Sequence, residues 1–153
     1  MYKELYLGLC KLFASNATSY EATIDMQGLR VRLYSIYQLA IGEHISSTIT
    51  FTNTNTIDPN ACRGSFIKNI VLPDVTACGA YSFYGCPNLK SITADNCETF
   101  GTSSLVGCTS LENVYVRNLA KASTQGFPWG CNNPDTVFHF ADGNFDYQGN
   151  PVV

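Results

Sequence analysis

The chain is short of charge. Only 14% of its 153 residues are charged, against roughly 25% in ordinary globular domains. Its nine Lys and Arg residues are scattered and the net charge is −3. A nucleic-acid binder needs a basic cluster to neutralise phosphates, so that partner class is not expected. No apolar run reaches about 18 residues, so no membrane span is expected either. Histidine occurs only at His44 and His139. There is no G-x-S-x-G, no H-E-x-x-H and no phosphate-cradling glycine loop. No acid, base and nucleophile can be assembled from local spacing, so an enzyme is not expected. No C-x-x-C pair with zinc spacing occurs, and no metal or other cofactor is expected.

Several weaker motifs fail on inspection. Asp142, Asn144 and Asp146 imitate the start of a calcium loop. The sixth position is Tyr147 rather than Gly and the twelfth is Val153 rather than Glu, so a turn is the better reading. Asn16-Ala17-Thr18 is a formal glycosylation sequon of a kind that arises by chance. Residues 1–15 have an apolar flavour, but Glu4 and Lys11 interrupt any signal-peptide core. They read as part of the folded protein.

What the chain does have is a repeat. Phe83, Leu105 and Phe127 are 22 apart, as are Gly79, Gly101 and Ser123, and Leu89 and Leu111. Gly85-Cys86 returns as Gly107-Cys108, then as Gly130-Cys131 one residue late. A period of this size means stacked copies of one small unit. Hydrophobic residues make up 45% of the chain, enough for such a stack to enclose a core.

Seven cysteines are present, an odd number. Cys78 and Cys97 fall in columns otherwise filled by apolar residues, and Cys86, Cys108 and Cys131 share a column of their own. Thiols in such places behave as small hydrophobes. Packed free thiols are therefore preferred over disulfides or metal ligation. Free thiols and the missing leader favour a reducing, cytoplasmic compartment.

Within each unit the apolar residues follow L-x-x-L-x-L-x-x-N/C. Leu89, Ile92, Ala94 and Cys97 carry it in one unit, and Leu111, Val114, Val116 and Leu119 in the next. The L-x-L portion alternates, so it predicts a short strand with every second side chain inward. Gly79 and Gly101 are expected to allow a tight reversal. The run AYSFYGCPNLKSI followed by SSLVGCTSLENVYV resembles the BspA-like leucine-rich repeat family. Phe83, Gly85, Cys86, Leu89 and Ile92 match its unit, as do Leu105, Gly107, Cys108, Leu111 and Val114. The likeness spans about residues 65–140. It implies a curved, β-lined solenoid used for protein or surface binding, often on secreted bacterial proteins. The units are few, the last is degraded, and residues 1–60 depart from the pattern.

The expected fold is a β-rich solenoid of about 3–4 short leucine-rich repeats with an N-terminal α+β capping segment. Residues 1–59 would be that cap, with a helix over 2–14 and strands near 29–35 and 45–52. Residues 60–141 would be the solenoid and 142–153 a turn-rich tail.

The strand face supplies the candidate binding residues. With Ile92 and Ala94 inward, Thr93 faces out. A one-residue insertion near Pro128-Trp129 then gives an outward column of Val71, Thr93, Tyr115 and Phe138. The next column holds Lys68, Lys90, Glu112 and Asp135, running from basic to acidic. Aromatics beside mixed charge suit a protein interface. The expected site is Val71, Lys90, Thr93, Glu112, Tyr115 and Phe138, contacting an unidentified protein partner. The expected function is a non-enzymatic binding module on a bacterial surface or encoded by a phage. Two alternatives stay open: a subunit that self-assembles into a larger particle, and a phage-encoded inhibitor of a host defence enzyme. The plain alternatives for the face itself are that its aromatics only brace the sheet or that it packs under the N-terminal segment.

Overall fold

The computed structural model describes residues 19–25 and 46–153, with side chains from residue 48 onward. The helix expected over 2–14, the strand near 29–35, Cys10, Asn16 and His44 lie outside the described residues. The described chain is a β-solenoid of about four turns. Eleven short strands form it: β1 Ser19–Asp25, β2 Ser46–Thr52, β3 Thr56–Ile57, β4 Asn69–Val71, β5 Ala77–Cys78, β6 Ser91–Thr93, β7 Thr99–Phe100, β8 Asn113–Val116, β9 Val137–Phe140, β10 Gly143–Asp146 and β11 Pro151–Val152. One sheet has the order β1-β2-β4-β6-β8-β9-β10-β11, and a second has β3-β5-β7. Pairing is parallel from β1 to β9, then antiparallel through β10 and β11. The antiparallel hairpin ends the parallel stack in a two-residue edge strand. A short edge of that kind is a poor template for further pairing.

Register fixes the length of each turn. Ile49, Ile70, Ile92, Val114 and Phe138 stand opposite one another in one file, so successive turns take 21, 22, 22 and 24 residues. Every member of that file is buried, as are Leu72, Ala94, Val116 and Phe140 at the next inward position of their strands. Ile57, Cys78 and Phe100 form the equivalent file of the second sheet. Each inward Ile, Leu, Val or Phe contributes about 1.5–3 kcal/mol through burial. A single turn cannot collect that energy, because its apolar side is covered only by the turns above and below.

The regular stacking starts earlier than the repeat pattern indicates. β2 and β3 carry Ile49, Phe51 and Ile57, all buried in line with the turn that follows. The strand expected at 45–52 is therefore present as β2, stacked in register on the repeats. Its sequence, Ser46 to Thr52, alternates small polar and apolar residues, as a strand with one buried face requires.

The described cysteines lie in the core. Cys62, Cys78, Cys86, Cys97, Cys108 and Cys131 are free and buried. Cys86 donates from Sγ to the Cys62 carbonyl at 3.0 Å, and Cys108 to the Phe83 carbonyl at 3.1 Å. These are the same bond made one turn apart. A thiol in this column therefore fills space and also ties neighbouring turns. Cys131 breaks the series by donating to Thr136 Oγ1 at 3.4 Å.

The glycines divide into two kinds, which corrects the expectation for Gly79 and Gly101. The left-handed backbone of the turns falls on Gly85 and Gly107, at φ +67° and +76°, and on Tyr81 and Ser103, at +57° and +56°. Gly79 and Gly101 instead mark a close approach of backbones. A Cβ on Gly79 would meet the Pro59 nitrogen at 2.5 Å. They are small because the preceding turn leaves no room.

Two buried hydroxyls have no partner. Ser82 and Ser104 are fully covered, and the Oγ of each makes no hydrogen bond. Cys62 N bonds to Ser82 O as Phe83 N bonds to Ser104 O, so Ala61 occupies the same column one turn earlier. An unsatisfied buried polar group costs about 1–3 kcal/mol. Ser82→Ala and Ser104→Ala should each raise stability by about 1 kcal/mol, read as a shift in the urea midpoint. A drop in the midpoint for both would mean that the hydroxyls are satisfied.

Candidate functional site

The outward face of the larger sheet is built from alternate residues of five consecutive strands. One file runs Thr50, Val71, Thr93, Tyr115 and His139, and continues to Asn144 in the hairpin. The file beside it runs Thr48, Asn69, Ser91, Asn113 and Val137. Most of these residues are half-buried. From β2 to β9 neither file carries Lys, Arg, Asp or Glu, and the second file meets Glu21 in β1 and Asp146 in β10 at its two ends.

Side chains across these strands bond to one another. Ser91 Oγ donates to Asn69 Oδ1 at 2.7 Å, and Asn69 Nδ2 to Thr48 Oγ1 at 3.4 Å. The His139 ring sits between two carboxamides, with Nε2 2.8 Å from Asn113 Oδ1 and Nδ1 2.9 Å from Asn144 Oδ1. Its flat face stacks on Tyr115 at 4.3 Å between centroids and 13° between planes. The Arg117 guanidinium lies over the Tyr115 ring at 5.2 Å. Both aromatic rings of the face are thus fixed before any partner arrives.

Paired charges flank the two files. On one side Lys90 pairs with Glu112 at 3.0 Å, with both side chains about half exposed. Such a pair contributes roughly 0–1 kcal/mol. On the other side Arg117 grips Asp95 with both arms, Nε to Oδ1 at 2.9 Å and Nη2 to Oδ2 at 2.7 Å. The Arg117 hydrogen bonds hold the Asp95 carboxyl below the usual carboxylate range. Planar, bidentate recognition of this kind is what arginine does better than lysine.

Five of the six expected site residues are on this face or its rim: Val71, Thr93 and Tyr115 in the outer file, and Lys90 and Glu112 along the edge. Phe138 is not. It is fully buried and stands opposite Val114. His139 takes the outward place instead. The reason is a second inserted residue. Cys108 is followed after five residues by Asn113, whereas Cys131 is followed after six by its partner Val137. The extra residue is taken up at Asn133, whose side chain accepts from Asp135 N and donates to the Thr109 and Leu111 carbonyls. Side chains alternate along a strand, so a slip of one residue exchanges the two faces. The same slip takes Asp135 out of the rim column and puts Thr136 there, buried and donating to Leu111 O at 2.7 Å.

One feature of the rim went unread in the sequence. Asn53, Asp74, Asn96, Asn118 and Asp142 follow the same steps of 21, 22, 22 and 24 residues as the strand file. Asp74 accepts from Asn53 N at 2.7 Å, Asn118 Nδ2 donates to Asn96 Oδ1 at 2.7 Å, and Asp142 accepts from Lys121 N at 2.9 Å. This Asx series braces the ends of the strands from turn to turn. The recurrence of Asn or Asp two residues past each inward strand-end residue was the available signal.

No curated protein and no solved structure matches the chain. A family model does. The model described as BspA type leucine-rich repeat region, of six copies, matches residues 35–135, well over half of the chain. The stacked parallel strands, the buried Leu, Ile and Cys files and this match agree, and the chain belongs to the BspA-type leucine-rich repeat family.

Proposed function

We propose that the protein is a non-enzymatic module that binds another protein through the outward face of its larger sheet. A leucine-rich-repeat solenoid suggests a protein-interaction module, and fold alone does not choose the surface. The observation that carries the choice is the Tyr115–His139 stack. Tyr115 contacts both the His139 ring and the Arg117 guanidinium, among uncharged polar residues with paired charges on either side. Tyr and Arg dominate binding energy at interfaces. Rings that are already ordered lose little entropy on docking. Val71 and Thr93 extend the contact along the same file, and Lys90 and Glu112 lie at its edge. A bacterial surface protein or a phage-encoded protein acting on a host protein fits such a module.

The test compares two sides of one coil. A photo-crosslinking residue at Thr93 should capture a defined protein from a cell lysate. The same residue at Tyr84, in the turn between β5 and β6, should not. Tyr115→Ala should keep the far-UV spectrum and weaken the purified complex about 10- to 100-fold, the range of an interface hot spot. Equal capture from both positions, or unchanged affinity in Tyr115→Ala, would remove this face as the binding surface.

A further inference from the structure

Among the described cysteines, two sulfurs approach each other directly. Cys78 Sγ and Cys97 Sγ are 3.8 Å apart and hydrogen-bonded, and both residues are buried. Cys78 ends β5, and Cys97 sits at the turn leading into β7, the strand paired with β5. Cys86 and Cys108 bond to backbone carbonyls and also interact with each other, and Cys131 donates to a threonine hydroxyl.

We propose that Cys78 and Cys97 are an oxidation site that closes to a disulfide and staples two adjacent turns on the smaller sheet. A disulfide needs a sulfur–sulfur distance of about 2.05 Å, so each sulfur has to move by less than 1 Å or so along their common line.

The two thiols are not equivalent. Hydrogen bonding from Cys78 draws the Cys97 thiol below its ordinary value, and burial pushes Cys78 above it. Cys97 is therefore the sulfur that ionises first and attacks. With hydrogen peroxide as oxidant, the Cys97 thiolate takes one peroxide oxygen. The O–O bond breaks, and the departing hydroxide is protonated to water. Cys97 is then a sulfenic acid. The Cys78 sulfur attacks it, the S–O bond breaks, and the leaving hydroxide departs as water with the Cys78 proton. Two thiols have lost two protons and two electrons to one peroxide, and a thiol reductant reverses the bond by exchange. Access to the buried pair requires only local opening, and β5 and β7 are two residues long.

The experiment treats the intact folded chain with hydrogen peroxide, then blocks the remaining thiols and digests with trypsin, chymotrypsin and a glutamate-specific protease. Cleavage after Tyr84 separates Cys78 from Cys86, and cleavage after Lys90 and Glu98 isolates Cys97 from Cys108. The expected product is a single linked pair, Cys78 to Cys97, with the intact mass reduced by two hydrogens, lost in Cys97→Ser and kept in Cys86→Ser. Its denaturation midpoint should rise on oxidation and fall back with dithiothreitol. Peptide mapping of the unmodified chain decides the matter even if a serine variant fails to fold. Linkages spread among several cysteines, or Cys97 carried to sulfinic acid with Cys78 still free, would overturn the proposal.

Discussion

Gly101→Ala should lower stability by more than about 3 kcal/mol, beyond the usual range for an overpacked side chain. The added methyl would lie 2.5 Å from the Gly79 carbonyl carbon and closer still to the Ala80 nitrogen. Both are backbone atoms of the neighbouring turn, so no side chain can rotate away. The turns would have to separate, and separation breaks the Gly101 N to Cys78 O bond at 2.8 Å and the β5–β7 pairing beside it. Gly85→Ala is the informative control. It meets nothing within 4 Å, and its burden is only the left-handed backbone at φ +67°, a cost of about 1–2 kcal/mol. The urea midpoint followed by circular dichroism separates the two. If Gly101→Ala were no worse than Gly85→Ala, the turns would not be stacked at this spacing.

That prediction depends on a spacing the sequence states openly in the middle of the chain and hides at both ends. From Gly79 to Val116 the period is a steady 22 residues, and there the inward Leu89, Ile92, Leu111 and Val114 were legible as core. Upstream the turn shortens to 21 between Ile49 and Ile70, and no G-C pair precedes it. A search for identical residues at a step of 22 therefore passes over β2 and β3, although their alternation is plain. Downstream the turn lengthens to 24. One extra residue was visible through Gly130-Cys131. The second was invisible because nothing after Cys131 repeats, and it reversed the assignment of Phe138 and His139. The outward file was thus legible in its first three members and misread in the fourth. Physical periodicity survives changes in turn length through strand register, whereas sequence periodicity does not.

The lone tryptophan sits where the repeat fails, and Trp129→Ala should cost about 3–5 kcal/mol. Trp129 is buried and stacks on Phe100 at 4.4 Å between centroids. Phe127, Phe138 and Phe140 surround it at 5.7, 5.8 and 6.2 Å. Its Nε1 donates to Gln125 O at 2.9 Å, and its carbonyl accepts from Leu105 N at 3.0 Å. The second sheet stops at β7 while the first continues, so Phe100 has no following strand to cover it. Trp129 does that work from the lengthened last turn, which is the physical use of the inserted residues. Removing the indole opens a cavity across the files of both sheets and leaves Phe100 without its cover. Trp129→Phe, which keeps a ring on Phe100, should recover more than half of the lost stability. The denaturation midpoint measures both variants. Tryptophan emission adds a local readout in the unmodified chain, because a buried single indole should emit at short wavelength and shift red when this end opens. A Trp129→Ala variant as stable as the parent would show that the aromatic cluster does not close this end of the coil.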